Sequence, residues 1–280
     1  MQLYIPRSFK IRALQALKGN WQTALLVSFF ASFFTLALSV ATERLFPEVS
    51  YLYMGDGQRF IMALGIVPQS SWLILGVLSV FAFVMTPALV VGASHYYLSR
   101  LQGQELGFRG LFSRFSIFLK CLWMYVIMFV KTFLWTCLFI VPGIIAAFRY
   151  ALAPYYLASD PSLSAMEAIE KSKQTMENRK MSLFMLELSF VGWSLLNSLL
   201  SLLLFDLSAV LSTVVSLMIS TFIAVYSNAS IAAFFQTVSN PDTAMKEAFQ
   251  PDSMTPPDGS DDDLGDHSDD DSKDDSSEDQ

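Results

Sequence analysis

The sequence predicts an all-α, polytopic membrane helix bundle of about six transmembrane helices. Three observations lead there. Hydrophobic residues make up 53% of the 280, including 24 Phe, which is too apolar for a soluble domain. Six stretches approach the roughly twenty apolar residues that a helical span requires. Lys and Arg gather on one side of those stretches, as expected where basic loops stay in the cytoplasm.

Charge divides the chain in two. Residues 1–250 carry a net +5, whereas residues 251–280 hold 13 acidic residues against Lys273, a net of −12. The overall −7 therefore describes the C-terminal tail and not the body.

Residues 1–20 read as a cytoplasmic amphipathic segment, with Phe9, Leu14 and Leu17 set among Arg7, Lys10, Arg12 and Lys18. The membrane domain covers 21–240, with spans at about 21–41, 72–97, 117–141, 143–158, 182–204 and 208–237. The first span ends in a small-x-small site, Ser39-Val40-Ala41, which raises a cleaved signal peptide as an alternative. Its basic flank is long and five spans follow, so an uncleaved anchor is the reading adopted. The outer loop 42–71 contains Pro47, Gly55-Asp56-Gly57 and Pro68 and is expected to be irregular.

Spans three and four read as a hairpin folded at Pro142-Gly143. Two further amphipathic segments flank it. Phe108, Leu111, Phe112 and Phe115 recur at helical spacing opposite Arg109 and Arg114. Residues 164–177 open with a capping box, Ser164 and Glu167, and place Met166, Ile169 and Met176 on one side. These basic segments either meet anionic lipid headgroups or an acidic partner surface, or simply seat the bundle at the headgroups.

Counting the flanks fixes orientation. Thirteen Lys/Arg lie beside spans on one side, from Arg7 to Lys246, against Arg44 and Arg59 on the other. Both termini are therefore expected in the cytoplasm.

The sharpest functional feature is a set of charges inside the spans, Lys131, Arg149 and Glu187. Each costs about 2.5–3.5 kcal/mol at a helix centre on insertion scales, so partners are expected. Arg149 and Glu187 fall at similar depths counted along their helices, which predicts an ion pair between spans four and five. The same three residues could instead line an anion-attracting or proton-relaying cavity. Lys131 has no acidic partner left and is expected to snorkel or to bond carbonyls near Pro142.

Span six carries a stripe of Ser208, Ser212, Ser216, Ser220, Ala224, Asn228 and Ala232 at four-residue spacing. Small residues so placed let helix backbones approach closely. Span five offers a matching polar edge in Ser194, Asn197, Ser198 and Ser201. Packing within one molecule is the simpler use of the stripe, and self-association the other.

Residues 241–280, with Pro251, Pro256-Pro257 and Asp/Ser runs, read as a disordered acidic tail. Ser268, Ser272 and Ser276 each have an acid three residues on, an unspecific phosphorylation pattern. An EF-hand loop starting at Asp266 lacks its turn glycine.

Chemistry-bearing motifs are missing. There is no phosphate-binding glycine loop, paired-histidine zinc helix or nucleophile elbow, so neither an enzyme nor a bound cofactor or metal is expected. Cys121 and Cys137 sit about 24 Å apart along one predicted helix and cannot pair with each other.

Several of these pieces together resemble a bacterial membrane family, domain of unknown function 975. They are Phe108-Arg109-Gly110-Leu111-Phe112, Ile140-Val141-Pro142-Gly143-Ile144-Ile145, Arg149-Tyr150, Ala153-Pro154-Tyr155, Asp160-Pro161 with Glu167-Ala168-Ile169, and Leu188 to Trp193. The opening from Phe9 to Trp21 fits as well. Asn178 departs from the pattern, which usually has glycine there, and so does the acidic tail. The resemblance implies a six-span bacterial plasma-membrane protein without an assigned activity. The expected role is a non-enzymatic interaction or scaffold component, with a small transporter or channel using Lys131, Arg149 and Glu187 as the alternative. Lipid bilayer, a membrane-protein partner or a second copy are the partners expected, and nucleic acid is not.

Overall fold

The computed structural model describes residues 6–45, 69–205 and 209–240, and all its regular elements are helical. They are α1 (Pro6–Leu17), α2 (Trp21–Leu45), α3 (Gln69–Leu101), α4 (Phe118–Leu138), α5 (Ile140–Tyr150), α6 (Ala153–Ser159), α7 (Ala165–Thr175), α8 (Lys180–Phe205) and α9 (Ala209–Ser239). Six stretches are long and apolar enough to cross a membrane: Trp21–Thr42, Ser70–Leu101, Phe108–Leu138, Ile140–Ser159, Lys180–Leu204 and Leu211–Ser239. They coincide with the six expected spans to within a few residues at most ends. Most of the loop 42–71, Ser208 and the tail 241–280 lie outside the described residues.

The core sits toward one end of the bundle. Buried positions fall at the start of α2 (Ala24, Val27), the end of α3 (Leu89, Tyr96, Tyr97), the start of α4 (Cys121, Met124) and the end of α9 (Ala229, Phe234, Val238). The opposite half of α3 is open, with Val77 70% and Val80 65% exposed. Lipid tails are as apolar as leucine, so hydrophobicity alone does not draw span surfaces together. Most of the buried side chains gather at the end where α1, α6 and α7 pack against the spans. This end also carries Arg12, Arg100, Arg114, Lys120 and Arg179, and is called the basic end below.

The amphipathic segments turn part of their apolar faces into the bundle, whereas Leu14 and Phe112, expected on those faces, stay exposed. Phe9, Ala13 and Leu17 of α1 are buried, Phe9 meeting Phe234 edge-on at 5.4 Å. In α7, Ala165, Ala168, Ile169 and Ser172 are buried, as is Met176 just beyond it, whereas Met166, expected on the same side, is 56% exposed. Residues 108–116 differ more. They form two short 3-10 turns, Phe108–Phe112 and Phe115–Ile117, instead of one helix. They pack against α3 at Gly92, which admits the Leu111 backbone so closely that an added Cβ would stand 1.9 Å from the Leu111 carbonyl oxygen. That contact buries Leu111 completely.

The α4–α5 hairpin is present, but its turn is not at Pro142-Gly143. One extended residue, Phe139 (φ −158°, ψ 145°), separates the two helices. Contacts nest around it, Thr136 with Gly143 and Lys131 with Tyr150, as in an antiparallel pair. Pro142 occupies the first turn of α5, where its missing N–H would have no helical partner anyway. Gly143 serves close approach, since a Cβ there would stand 2.1 Å from Thr136 Oγ1 and 2.8 Å from Thr136 Cα.

Span four, expected as one run over 143–158, is broken at Ala151-Leu152. Pro154 explains it. In a continuous helix its ring would meet the carbonyl of Tyr150 and its nitrogen could donate nothing. The chain therefore ends α5 at Tyr150 and restarts with Pro154 near the beginning of α6. Beyond α7, Asn178 takes φ 61°, the left-handed conformation that asparagine tolerates and glycine favours. The departure from glycine thus leaves this backbone conformation available.

Candidate functional site

Lys131, Arg149 and Glu187 sit on α4, α5 and α8, and among the described residues no ion pair joins them. Lys131 of α4 is half-buried, its Nζ 5.9 Å from the centroid of the Tyr150 ring, the outer range of a cation–π contact. Arg149 lies on the last turn of α5, and Glu187 is half-buried on α8. Among the described residues, Arg149 and Glu187 form no ion pair. An ion pair that is present, Lys173–Glu170 at 3.0 Å, is an exposed contact within α7. The expected Arg149–Glu187 pairing assumed one straight helix through span four, and the break at Ala151-Leu152 removes that assumption.

A different polar centre takes shape at this break. Ser172 of α7 donates through Oγ to the Arg149 carbonyl at 2.9 Å and accepts from the Leu152 N–H at 3.2 Å. Both backbone groups would otherwise be unpaired in an apolar interior, at substantial cost. Nearby, the hydroxyls of Tyr156 and Thr175 are hydrogen-bonded at 2.5 Å. The capping box that orients α7 is complete, with Glu167 N–H donating to Ser164 Oγ and Ser164 N–H to Glu167 Oε2 at 2.7 Å. Those bonds, the backbone one foremost, hold the Glu167 carboxyl below the usual carboxylate range.

The basic side chains of this end largely bond helix ends in neighbouring elements. Arg114 donates to Ala158 O at 2.6 Å, at the end of α6, and Arg179 to Val238 O at 2.9 Å, at the end of α9. Arg100 donates to Ala16 O at 3.3 Å, at the end of α1. Lys120 reaches the carbonyls of Pro161, Ser162 and Leu163 at 3.0–3.4 Å. Cations suit helix C-termini, where carbonyls lack helical partners and the dipole is negative. Sequence reading missed this role because cation and helix end are distant in the chain. Lys10 places its Nζ 4.5 Å from the centre of the Phe190 ring, and burial lowers its pKa.

The small-residue stripe of α9 divides among several neighbours. Ser212 donates to Ser201 O at 2.8 Å, and the two hydroxyls lie 3.0 Å apart. Asn197 Nδ2 donates to Ser216 Oγ at 3.2 Å. Ser220 bonds within its own helix to Leu217 O. The Asn228 carbonyl accepts from the Tyr155 hydroxyl at 3.4 Å, and Ala224 is half-buried while Ala232 is fully buried. Ser208 lies outside the described residues.

Two surface features complete the picture. A cleft of about 410 Å³ opens at the basic end between α1, the α1–α2 turn and the end of α3. A second, of about 310 Å³, is mainly apolar and lies between α2 and α3 beside Thr35, Thr86 and Pro87. Among the described residues, no three His, Cys, Asp or Glu side chains are grouped so as to hold a metal ion. Cys121 and Cys137 are both free thiols.

Residues 138–242 match the family model of a protein of unknown function, DUF975. The family resemblance read from the sequence holds over this stretch. It runs from the end of α4 to just beyond α9, and so takes in the Pro154 break, Ser172, the capping box and the α8–α9 contact. α1 to α3, including the basic cleft at their junction, lie ahead of the DUF975 stretch. No curated protein and no solved structure matches the chain.

Proposed function

We propose that this multi-pass protein is a non-enzymatic interaction or scaffold component of the bacterial plasma membrane, with both termini in the cytoplasm. The observation that carries this reading is the use of polar side chains to join one helix to another, with no ion pair linking Lys131, Arg149 and Glu187 among the described residues. A transport site built on those charges would need them to face a shared space. Lys131 instead lies 5.9 Å from the centre of the Tyr150 ring, and no ion pair joins Arg149 to Glu187. The buried polar groups described above bind one helix to another, as in a bundle whose interior is structural. Orientation rests on the excess of Lys and Arg at the basic end.

Crosslinking in intact membranes at native expression, followed by identification of every attached protein, tests the proposal. A stoichiometric heterologous neighbour is the expected result. Recovery of the chain alone, together with solute flux that is lost in Lys131→Met, would replace this reading with a transporter or channel.

A further inference from the structure

Where α1, α2 and α3 meet, the 410 Å³ cleft is lined by Arg12, Lys18 and Arg100, with the amides Gln15 and Asn20 and one acid, Glu105. We propose that this cleft binds the phosphodiester headgroup of an anionic phospholipid. The inference rests on the reading of the chain as a membrane interaction component and names a ligand for it. Three observations lead to it.

The first is depth. Asn20 directly precedes the candidate span Trp21–Thr42, and Arg100 and Leu101 close the candidate span Ser70–Leu101. The cleft therefore opens where two spans end, the level of lipid headgroups. The second is charge. Three cations against one carboxylate favour an anion. Exposed Glu105 disfavours a second negative group but accepts a hydroxyl, which fits a glycerol-bearing phosphodiester better than inorganic phosphate. The third is preorganisation. Arg100 is oriented by its bond to Ala16 O at 3.3 Å, and Arg12 by its bond to Thr237 Oγ1 at 3.1 Å. A guanidinium carries five N–H donors, so one bond sets the plane of Arg100 without exhausting it. Lys18, exposed at the mouth, adds a cation that can follow the ligand.

The test uses the full-length protein in an uncharged detergent, with binding read by native mass spectrometry. The probes are dihexanoyl-phosphatidylglycerol, dihexanoyl-phosphatidylcholine and inorganic phosphate. Phosphatidylglycerol is expected to bind about tenfold more tightly than phosphatidylcholine, and Lys18→Gln to weaken it about fivefold. Lys173→Gln, which removes an exposed cation on α7, is expected to change binding less than twofold. Equal losses in the two variants would mean diffuse attraction and overturn the site. Equal affinity for inorganic phosphate would overturn the lipid assignment. A peptide of residues 251–280 that displaces the lipid from wild type but not from Lys18→Gln would give the cleft to the chain's own acidic segment instead. Crosslinking reads protein neighbours and this assay reads lipid, so failure of either proposal is visible separately.

Discussion

The Ser172 hydroxyl lies 2.9 Å from the carbonyl oxygen of Arg149 and joins α7 to the end of α5. Its second bond, from the Leu152 N–H at 3.2 Å, closes the other side of the break that Pro154 imposes. One buried side chain thereby satisfies two backbone groups that the interrupted helix leaves open. Ser172→Ala is expected to destabilise the protein by about 1–3 kcal/mol, the cost of stranding such groups. Thermal unfolding in detergent measures it, with Ser198→Ala as the comparison. Ser198 is exposed and bonds to Ser194 O of its own helix, so its loss is expected to stay within about 0.5 kcal/mol.

Gly143 and Gly192 separate close packing from open surface. A Cβ at Gly143 collides with the backbone and side chain of Thr136, while at Gly192 it meets nothing within 4 Å. Gly143→Ala is expected to cost about 1–3 kcal/mol by opening the α4–α5 hairpin. Gly192→Ala should be neutral, or stabilising by up to about 1 kcal/mol through helix propensity. Unfolding midpoints of the two variants, side by side, decide this.

Arg149 and Glu187 should behave independently. If they paired, the harm done by Arg149→Glu would be repaired by adding Glu187→Arg. Since the two side chains form no ion pair, the double variant is expected to show the sum of the single effects within about 0.5 kcal/mol. Repair to near wild-type membrane abundance would contradict this geometry.

The α7 capping box makes a pH-dependent contribution. Hydrogen bonds from Ser164 depress the Glu167 carboxyl, so the folded state favours its ionised form. The stabilisation is fully present above the unfolded glutamate value of about 4.3 and is lost as pH falls through the lower folded value. The melting-temperature gap between wild type and Glu167→Gln is expected to hold from pH 8 to pH 5 and to close below about pH 4. A gap unchanged at pH 3 would rule out the carboxylate as its source.

Arg179 offers a check on the carbonyl-capping role of the basic end. Its bond to Val238 O joins the start of α8 to the end of α9. Arg179→Gln is expected to cost about 1.5–3 kcal/mol, the range for a hydrogen bond with a charged donor. Its neighbour Lys180, replaced in the same way, should cost about 0.5 kcal/mol or less. Comparable losses at both positions would point to net charge and not to the bond.

The sequence by itself determined the span count, the approximate ends of each span, the asymmetry of charge and the capping box at Ser164. All of these rest on local composition or short spacing, which the chain displays without reference to its neighbours. It also carried enough of the α5–α9 pattern to point to the family matched there. The tertiary structure alone decided what the charges do. Arg114, Arg100, Arg179 and Lys120 bond carbonyls 41 to 84 residues away in the chain, a relation that no periodicity encodes. It also placed the main break of span four at Ala151-Leu152, where Pro154 forbids a continuous helix and Ser172 compensates. Residue type alone places the fold of the hairpin at Pro142-Gly143. At the first turn of α5, the missing N–H of Pro142 removes no helical hydrogen bond.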